Sequence, residues 1–236
     1  IHCGGIYNAF PHHTNEIAQS EAYLGHKWCN YWFHILHLNT NSGKMSKSKG
    51  EFLTVSLLES KGYDPLVYRF FCLQSHYRKS LVFTYENLDN AKTAYNKLTA
   101  RIAQLMADKK PDEVVELEDF EKFKGSFKAA LDDDINTSNA ITVLYDVLKA
   151  DTNNETKLAL IEDFDKVLSL GLIEAAKKLS ADSEEDIPEE VKVLVEERKA
   201  ARKAKDFAKA DELRDKIGEL GYIVEETRQG TKIKKK

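Results

Sequence analysis

Residues 84–105 read TYENLDNAKTAYNKLTARIAQL, and within them Leu88, Ala91, Tyr95, Leu98, Ile102 and Leu105 return every three or four positions. That period lays all six along one stripe of an α-helix, and the Thr84 hydroxyl can accept from a first-turn N–H as its cap. The rhythm returns at Phe120, Phe123, Phe127 and Leu131, at Ile141, Leu144 and Leu148, and at Leu158, Ile161 and Leu168, with Asp165 a break and Gly171 a stop. Such stripes predict a helical bundle whose apolar faces form the core. Before it, Asp64 caps a helix whose first position is Pro65, and Gly62 closes a shorter one.

Outside the bundle the texture changes. Residues 1–43 are rich in Gly, His and aromatics, as in loops and short strands around a site. Ile1-His2 leads straight into Cys3-Gly4-Gly5 without an initiator Met, which reads as the middle of a sheet with upstream partners missing. Residues 107–118 and the Ser/Asp/Glu-rich 180–188 read as linkers. Pro188 opens a charged helix, Asp206 caps another that ends before Gly221, and Tyr222–Glu225 and Thr231–Lys234 form a hairpin around Gln229-Gly230. The fold expected is mainly α with a partial α/β part, in four regions: 1–53, 54–110, 111–182 and 183–236.

With 42% apolar residues, 236 residues can bury a sizeable core. No apolar run is long enough to span a bilayer, so the expected location is the cytoplasm. Cys3, Cys29 and Cys72 are odd in number and widely spaced, which suggests neither a disulfide framework nor a cysteine-rich zinc module. Net charge is −4, yet residues 198–236 carry 13 Lys/Arg against 7 Asp/Glu. A basic tail on an acidic body suits a polyanionic partner, and a solvated helix face equally.

Two motifs carry chemistry. Lys44-Met45-Ser46-Lys47-Ser48 sets two ammonium groups three residues apart in a Gly/Ser loop, where they can close over a triphosphate and neutralise charge that grows as pyrophosphate leaves. In Phe10-Pro11-His12-His13-Thr14-Asn15-Glu16, Pro11 suits a first helical position. His12 and Glu16 then stand at i and i+4, where an imidazole and a carboxylate can converge on one cation or simply pair at the surface.

The run Ile1-His2-Cys3-Gly4-Gly5, then Phe10 to Ser20, then Lys44 to Ser48 resembles the cysteinyl-tRNA synthetases, and the five-residue loop resembles the signature loop of class I aminoacyl-tRNA synthetases. The likeness continues through His76-Tyr77-Arg78, Phe83-Thr84 and Asn87-Leu88, which look like that family's stem-contact region. Leu131-Asp132-Asp133-Asp134-Ile135-Asn136-Thr137 looks like its helical bundle, and Arg198, Arg202, Lys205-Asp206-Phe207, Asp211, Arg214-Asp215 and Gly230-Thr231 like its anticodon-binding tail.

The resemblance implies a C-terminal part of a Rossmann-like catalytic domain, a stem-contact region, a helical bundle and a small anticodon-binding domain. It implies ATP-dependent activation of cysteine to cysteinyl adenylate and transfer to tRNA(Cys), by a monomer using Mg2+ with ATP. Lys44 and Lys47 would be catalytic, and His2, Gly4, Gly5 and Lys44 to Ser48 would bind ATP. His12 and Glu16 would be two ligands of a Zn2+ that holds the substrate thiol, the remaining ligands being cysteines upstream in the family. Arg198, Arg202, Lys203, Lys205 and Arg214 would contact tRNA, with Lys234 to Lys236 beside them. A metal that favours a soft thiolate over a hydroxyl separates cysteine from serine without editing.

Departures from the family pattern are Cys3 at a glycine of its H-G-G-G turn, Tyr7 at an aspartate, and Lys49 and Glu51 where Leu and Asn are usual. The family's H-I-G-H nucleotide signature has no match here, so the isolated chain is expected to be inactive. Competing expectations are a cysteine ligase of mycothiol biosynthesis, against which the His13-Thr14-Asn15-Glu16 string and the basic tail argue, and a non-catalytic tRNA-binding helical module.

Overall fold

The computed structural model describes residues 1–40, 43–44, 54–185, 188–203, 206–227 and 230–235. The chain divides into two units, Ile1–Ile173 and Glu174–Lys236. Strand β1 (His2–Gly5) pairs in parallel with β2 (Trp32–Ile35), joined through two short helical turns and helix α1 (Thr14–Leu24). Strand β3 (Leu38–Thr40) lies between β4 (Gly43–Lys44), antiparallel to it, and β5 (Leu81–Phe83), parallel to it. Two helices, α2 (Val55–Ser60) and α3 (Pro65–Leu73), precede β5. Then come α4 (Tyr85–Asp108), α5 (Leu117–Asp132), α6 (Thr137–Lys149) and α7 (Asn154–Leu168).

The caps behave as their chemistry requires. Thr84 Oγ1 accepts from Asn87 N at 3.0 Å and Asp64 Oδ1 from Leu66 N at 2.7 Å, with Pro65 at the first helical position. The α4 stripe is buried at Leu88, Ala91, Tyr95, Leu98 and Ile102 and fades at half-buried Leu105. It meets Ile141, Leu144 and Leu148 of α6 and Leu160, Ile161, Phe164 and Leu168 of α7 in the core. There Phe127 stacks on Phe164 with ring centroids 4.0 Å apart.

Helices α3 and α4 grip the bundle through its main chain. Arg69 Nε donates to Leu168 O at 2.6 Å, Arg101 Nη2 to Leu148 O at 2.8 Å and Tyr95 Oη to Leu170 O at 2.7 Å. The Leu148 and Leu168 carbonyls stand at helix ends, where no partner remains within the helix, and Leu170 lies in the link that follows α7. The segment between α4 and α5 is tied down as well: Asn153 caps α7 through Thr156 N at 2.8 Å and donates Nδ2 to Val114 O at 2.8 Å, while Glu113 accepts from the N–H groups of Asn154 and Glu155.

Asp165, the break in the apolar period, has a task of its own within α7. Its carboxylate accepts from Leu170 N at 2.6 Å and Leu172 N at 2.9 Å, closing the helix end beside Ser169 at φ +52°. The apolar stripe therefore runs through Leu160 and Phe164, and Leu158 is only half-buried. Between α5 and α6, Asp134 and Ile135 both lie at φ +54°. For a β-branched residue this costs about 1–3 kcal/mol.

Helix α8 (Leu172–Glu185) extends into the Ser/Asp/Glu stretch read as a linker, as far as Glu185. In the second unit α9 (Glu189–Lys203) and α10 (Phe207–Glu219) precede a hairpin of β6 (Tyr222–Thr227) and β7 (Gly230–Lys235). Val191, Val195, Ile217 and Tyr222 form its core, with Leu194 and Val224 packed against them. Asp206 accepts from Lys209 N at 3.1 Å as the cap of α10. Among the described residues no helix is long and apolar enough to cross a membrane.

Candidate functional site

The site is built on one face of the β1–β2 pair. Because side chains alternate along a strand, His2 and Gly4 of β1 share a face with each other, as do Trp32 and His34 of β2, and Cys3 points away from His2. Phe10 is extended, and helical backbone takes up after it at Pro11, the first helical position read from the sequence, and runs through His13 into α1. With His2 on β1 and His12 and His13 just ahead of α1, three imidazoles meet the Glu16 carboxylate. His2 Nε2 lies 2.9 Å from Oε2, His12 Nε2 3.3 Å from Oε1, and His13 Nε2 4.0 Å from Oε2.

His12 is largely exposed at 65%, whereas His13 is buried at 4%. Ring nitrogens His13 Nδ1 and His34 Nε2 share a hydrogen bond of 2.8 Å. Burial, and then the neighbouring His2, hold the His13 pKa below the ordinary imidazole value, which favours the neutral ring. Trp28 and Trp32 wall the cluster, with ring centroids 5.3 and 4.9 Å from that of His2. Donor atoms of His2, His13 and Glu16 all lie within 4.8 Å of one another. Two imidazoles and a carboxylate at that spacing fit a divalent cation such as zinc. Glu16 Oε2 is buried and faces only the His2 and His13 imidazoles, which leaves a lone pair for a cation between them.

Gly4 is where the backbone must come close. A Cβ there would stand 2.7 Å from His13 Cε1 and 2.9 Å from Asn8 Nδ2, and one on Gly5 3.1 Å from His37 Cε1. Tyr7, 73% exposed, stacks on His37 with centroids 5.1 Å apart.

His2, Gly4, Gly5, His12 and Glu16 are thus brought together. Lys44 pairs through β4 with Asn39 of β3, and Met45, Ser46, Lys47 and Ser48 lie outside the described residues, as do Lys49 and Glu51. Of the basic residues in the tail, Arg198 is buried at 7% exposure, Arg202 is exposed, and Arg214 is exposed beside Asp211 and Asp215. Lys205 and Lys236 lie outside the described residues. Reading the sequence missed His13, His34 and the two tryptophans. The signal present was the alternation Trp32-Phe33-His34, which puts an aromatic and an imidazole on one strand face.

Residues 1–93 match the class I (C) tRNA synthetase catalytic domain, 126–173 the DALR domain, and 184–233 the cysteinyl-tRNA ligase anticodon binding domain. The three matches follow one another along the chain. Along its length the chain is similar to the cysteinyl-tRNA synthetases. It is similar to cysteine–tRNA ligase 1 of Burkholderia lata, 39% identical over 99% of this chain and 47% of that protein. The cysteine–tRNA ligase of Bacillus cereus is 40% identical over 100% of the chain and 52% of its own length, and that of Borrelia garinii subsp. bavariensis 36% over 100% and 51%. The chain spans about half the length of these curated relatives of the cysteinyl-tRNA synthetase family.

Proposed function

We propose that this chain serves in a cysteine–tRNA ligase, activating cysteine with ATP and delivering it to the 3′ end of tRNA(Cys) in the cytoplasm. The observation that carries this reading is the convergence of His2, His12 and His13 on Glu16, within the stretch 1–93 that matches a class I catalytic domain.

His12 and Glu16, with His2 and His13 beside them, would hold the zinc, which when bound supplies a soft acceptor for the substrate thiolate. The remaining work falls to the chain's own residues. Glu16 gathers the imidazoles, and the His13–His34 bond fixes the ring of His13. Gly4 leaves room for that ring. In adenylate formation the cysteine carboxylate attacks the α-phosphorus of ATP and pyrophosphate leaves. Lys44 and Lys47 would neutralise the departing charge, with His2, Gly4, Gly5, Met45, Ser46 and Ser48 lining the nucleotide and Mg2+ accompanying its phosphates.

Arg202, Lys203, Lys205 and Arg214, together with Arg198, would serve the tRNA, and the protein would act as a monomer. The match of residues 184–233 to an anticodon binding domain favours tRNA over an amino sugar as acceptor. The test is cysteine-dependent ATP–pyrophosphate exchange by the whole ligase. We expect exchange that Lys44→Ala with Lys47→Ala abolishes, and cysteine transfer to tRNA but not to glucosaminyl-inositol. Exchange indifferent to both lysines would overturn the reading.

A further inference from the structure

We infer that Asp134, in the turn between α5 and α6, is a positioning residue that clasps the turn at residues 76–80 and so holds the strands carrying His34 and Lys44 in place against the bundle. The carboxylate spends its acceptors on a different element. Tyr77 Oη donates to Oδ1 at 2.5 Å, Arg78 Nε to Oδ2 at 2.5 Å and Arg78 Nη2 to Oδ1 at 3.3 Å, while His76 Nε2 lies 3.9 Å from Oδ2. The two consecutive residues at φ +54° make the turn from which Asp134 reaches that element. A backbone held in a sparsely populated conformation points to a task beyond closing a loop.

The clasped turn touches both strand pairs. Tyr77 O accepts from Leu36 N at 3.0 Å, just past β2, and the Tyr77 ring packs on Phe33 of β2 with centroids 4.2 Å apart. Ser80 Oγ accepts from Asn39 Nδ2 at 2.8 Å, and β5 follows at once, pairing with β3 and through it with β4 at Lys44. Next to His34 on β2 lies the His13 ring it bonds.

Apart from the Phe33–Tyr77 contact, packing does little of this job. Between the strands, α3 and the bundle turn lies a cavity of about 340 Å3, lined among others by Phe33, Leu38, Tyr68, Tyr77 and Ile135. A junction with such an open pocket beside it has fewer side-chain contacts and leaves more of its geometry to directional bonds. The Asp134 and Arg78 side chains are 45% and 61% exposed, so the ionic part is screened and the expected effects are a few-fold. The inference rests on the proposed function only in treating these strands as carriers of a reacting site.

The test uses Asp134→Asn, because Asn tolerates the left-handed backbone and so keeps the turn while losing the charge. Trp28 and Trp32 are the chain's only tryptophans, and both wall the histidine cluster. Hydrogen exchange and tryptophan emission therefore read the two ends of the path. We expect the Leu36 amide and those of β5 to exchange on the order of fivefold faster, tryptophan emission to shift, and amides of α6 and α7 to keep their rates. Arg78→Met should reproduce the pattern, and the double variant should exceed neither single one. Wild-type values for Leu36 and the tryptophans in both variants would overturn the inference. So would a uniform rise that includes α6 and α7, the mark of a general stabiliser. In the whole ligase Asp134→Asn should lower kcat for pyrophosphate exchange more than it raises KM for cysteine, and a fall in affinity alone would count against positioning. Absence of exchange in the wild type would sink the ligase reading while the amide rates still decide the clasp.

Discussion

Gly4→Ala tests the site at its tightest point. The added methyl would sit 2.7 Å from His13 Cε1 and 3.0 Å from His13 Nε2, where ordinary carbon contacts begin near 3.5 Å. The ring has nowhere to go. It is buried, lies between His2 and Trp32 at centroid distances of 4.7 and 5.1 Å, and is bonded to His34 at 2.8 Å. Overpacking of this kind costs about 1–3 kcal/mol, and losing the imidazole bond adds about 0.5–1.5 kcal/mol. The expected destabilisation is therefore roughly 2–4 kcal/mol. Urea unfolding followed by tryptophan emission measures it where it occurs. Gly25→Ala is the control: its φ of +70° strains any side chain, but nothing lies within 4 Å, so only about 1 kcal/mol is expected. A Gly4→Ala midpoint equal to that of the wild type would refute the argument that His13 is wedged.

Four further outcomes follow from the same geometry. Glu16→Gln should weaken Zn2+ binding at least tenfold by calorimetry, since the carboxamide oxygen is a poorer ligand to the cation. Tyr95→Phe strands the Leu170 carbonyl and should cost about 1–2 kcal/mol in urea unfolding. Asn153→Ala removes a cap and its bond to Val114, for about 1–2 kcal/mol by thermal melting. His13 has a folded pKa below the unfolded value of 6.5, so the unfolded chain takes up the proton first. The stability His13 contributes is present above pH 6.5 and is lost as pH falls through the folded value, which a series of urea midpoints downward from pH 8 would show.

How far the chain could be read from its letters depended on how local the physics was. The α4 stripe and the caps at Thr84, Asp64 and Asp206 depend on neighbours a few residues away, and all were legible. Asp165 was legible only as an interruption of the apolar period, and it takes the chain's return at Leu170 and Leu172 to reveal what the carboxylate satisfies. Helix α8 outran its expected end because Ser, Asp and Glu do not by themselves stop a helix already begun at Leu172. In the site, His12 and Glu16 were visible from their spacing. His13 was not, because its bond to His34 spans 21 residues and no local pattern distinguishes the buried member of a doubled histidine.

The grip of α3 and α4 on the bundle has a consequence for how this protein can vary. Arg69, Tyr95 and Arg101 take hold of carbonyl oxygens at residues 168, 170 and 148, an atom that every amino acid supplies. Side chains at those three receiving positions can drift between lineages without loosening the hold, provided the helix ends stay where they are. The three donors have no such latitude, so divergence at this seam should fall on one side of it.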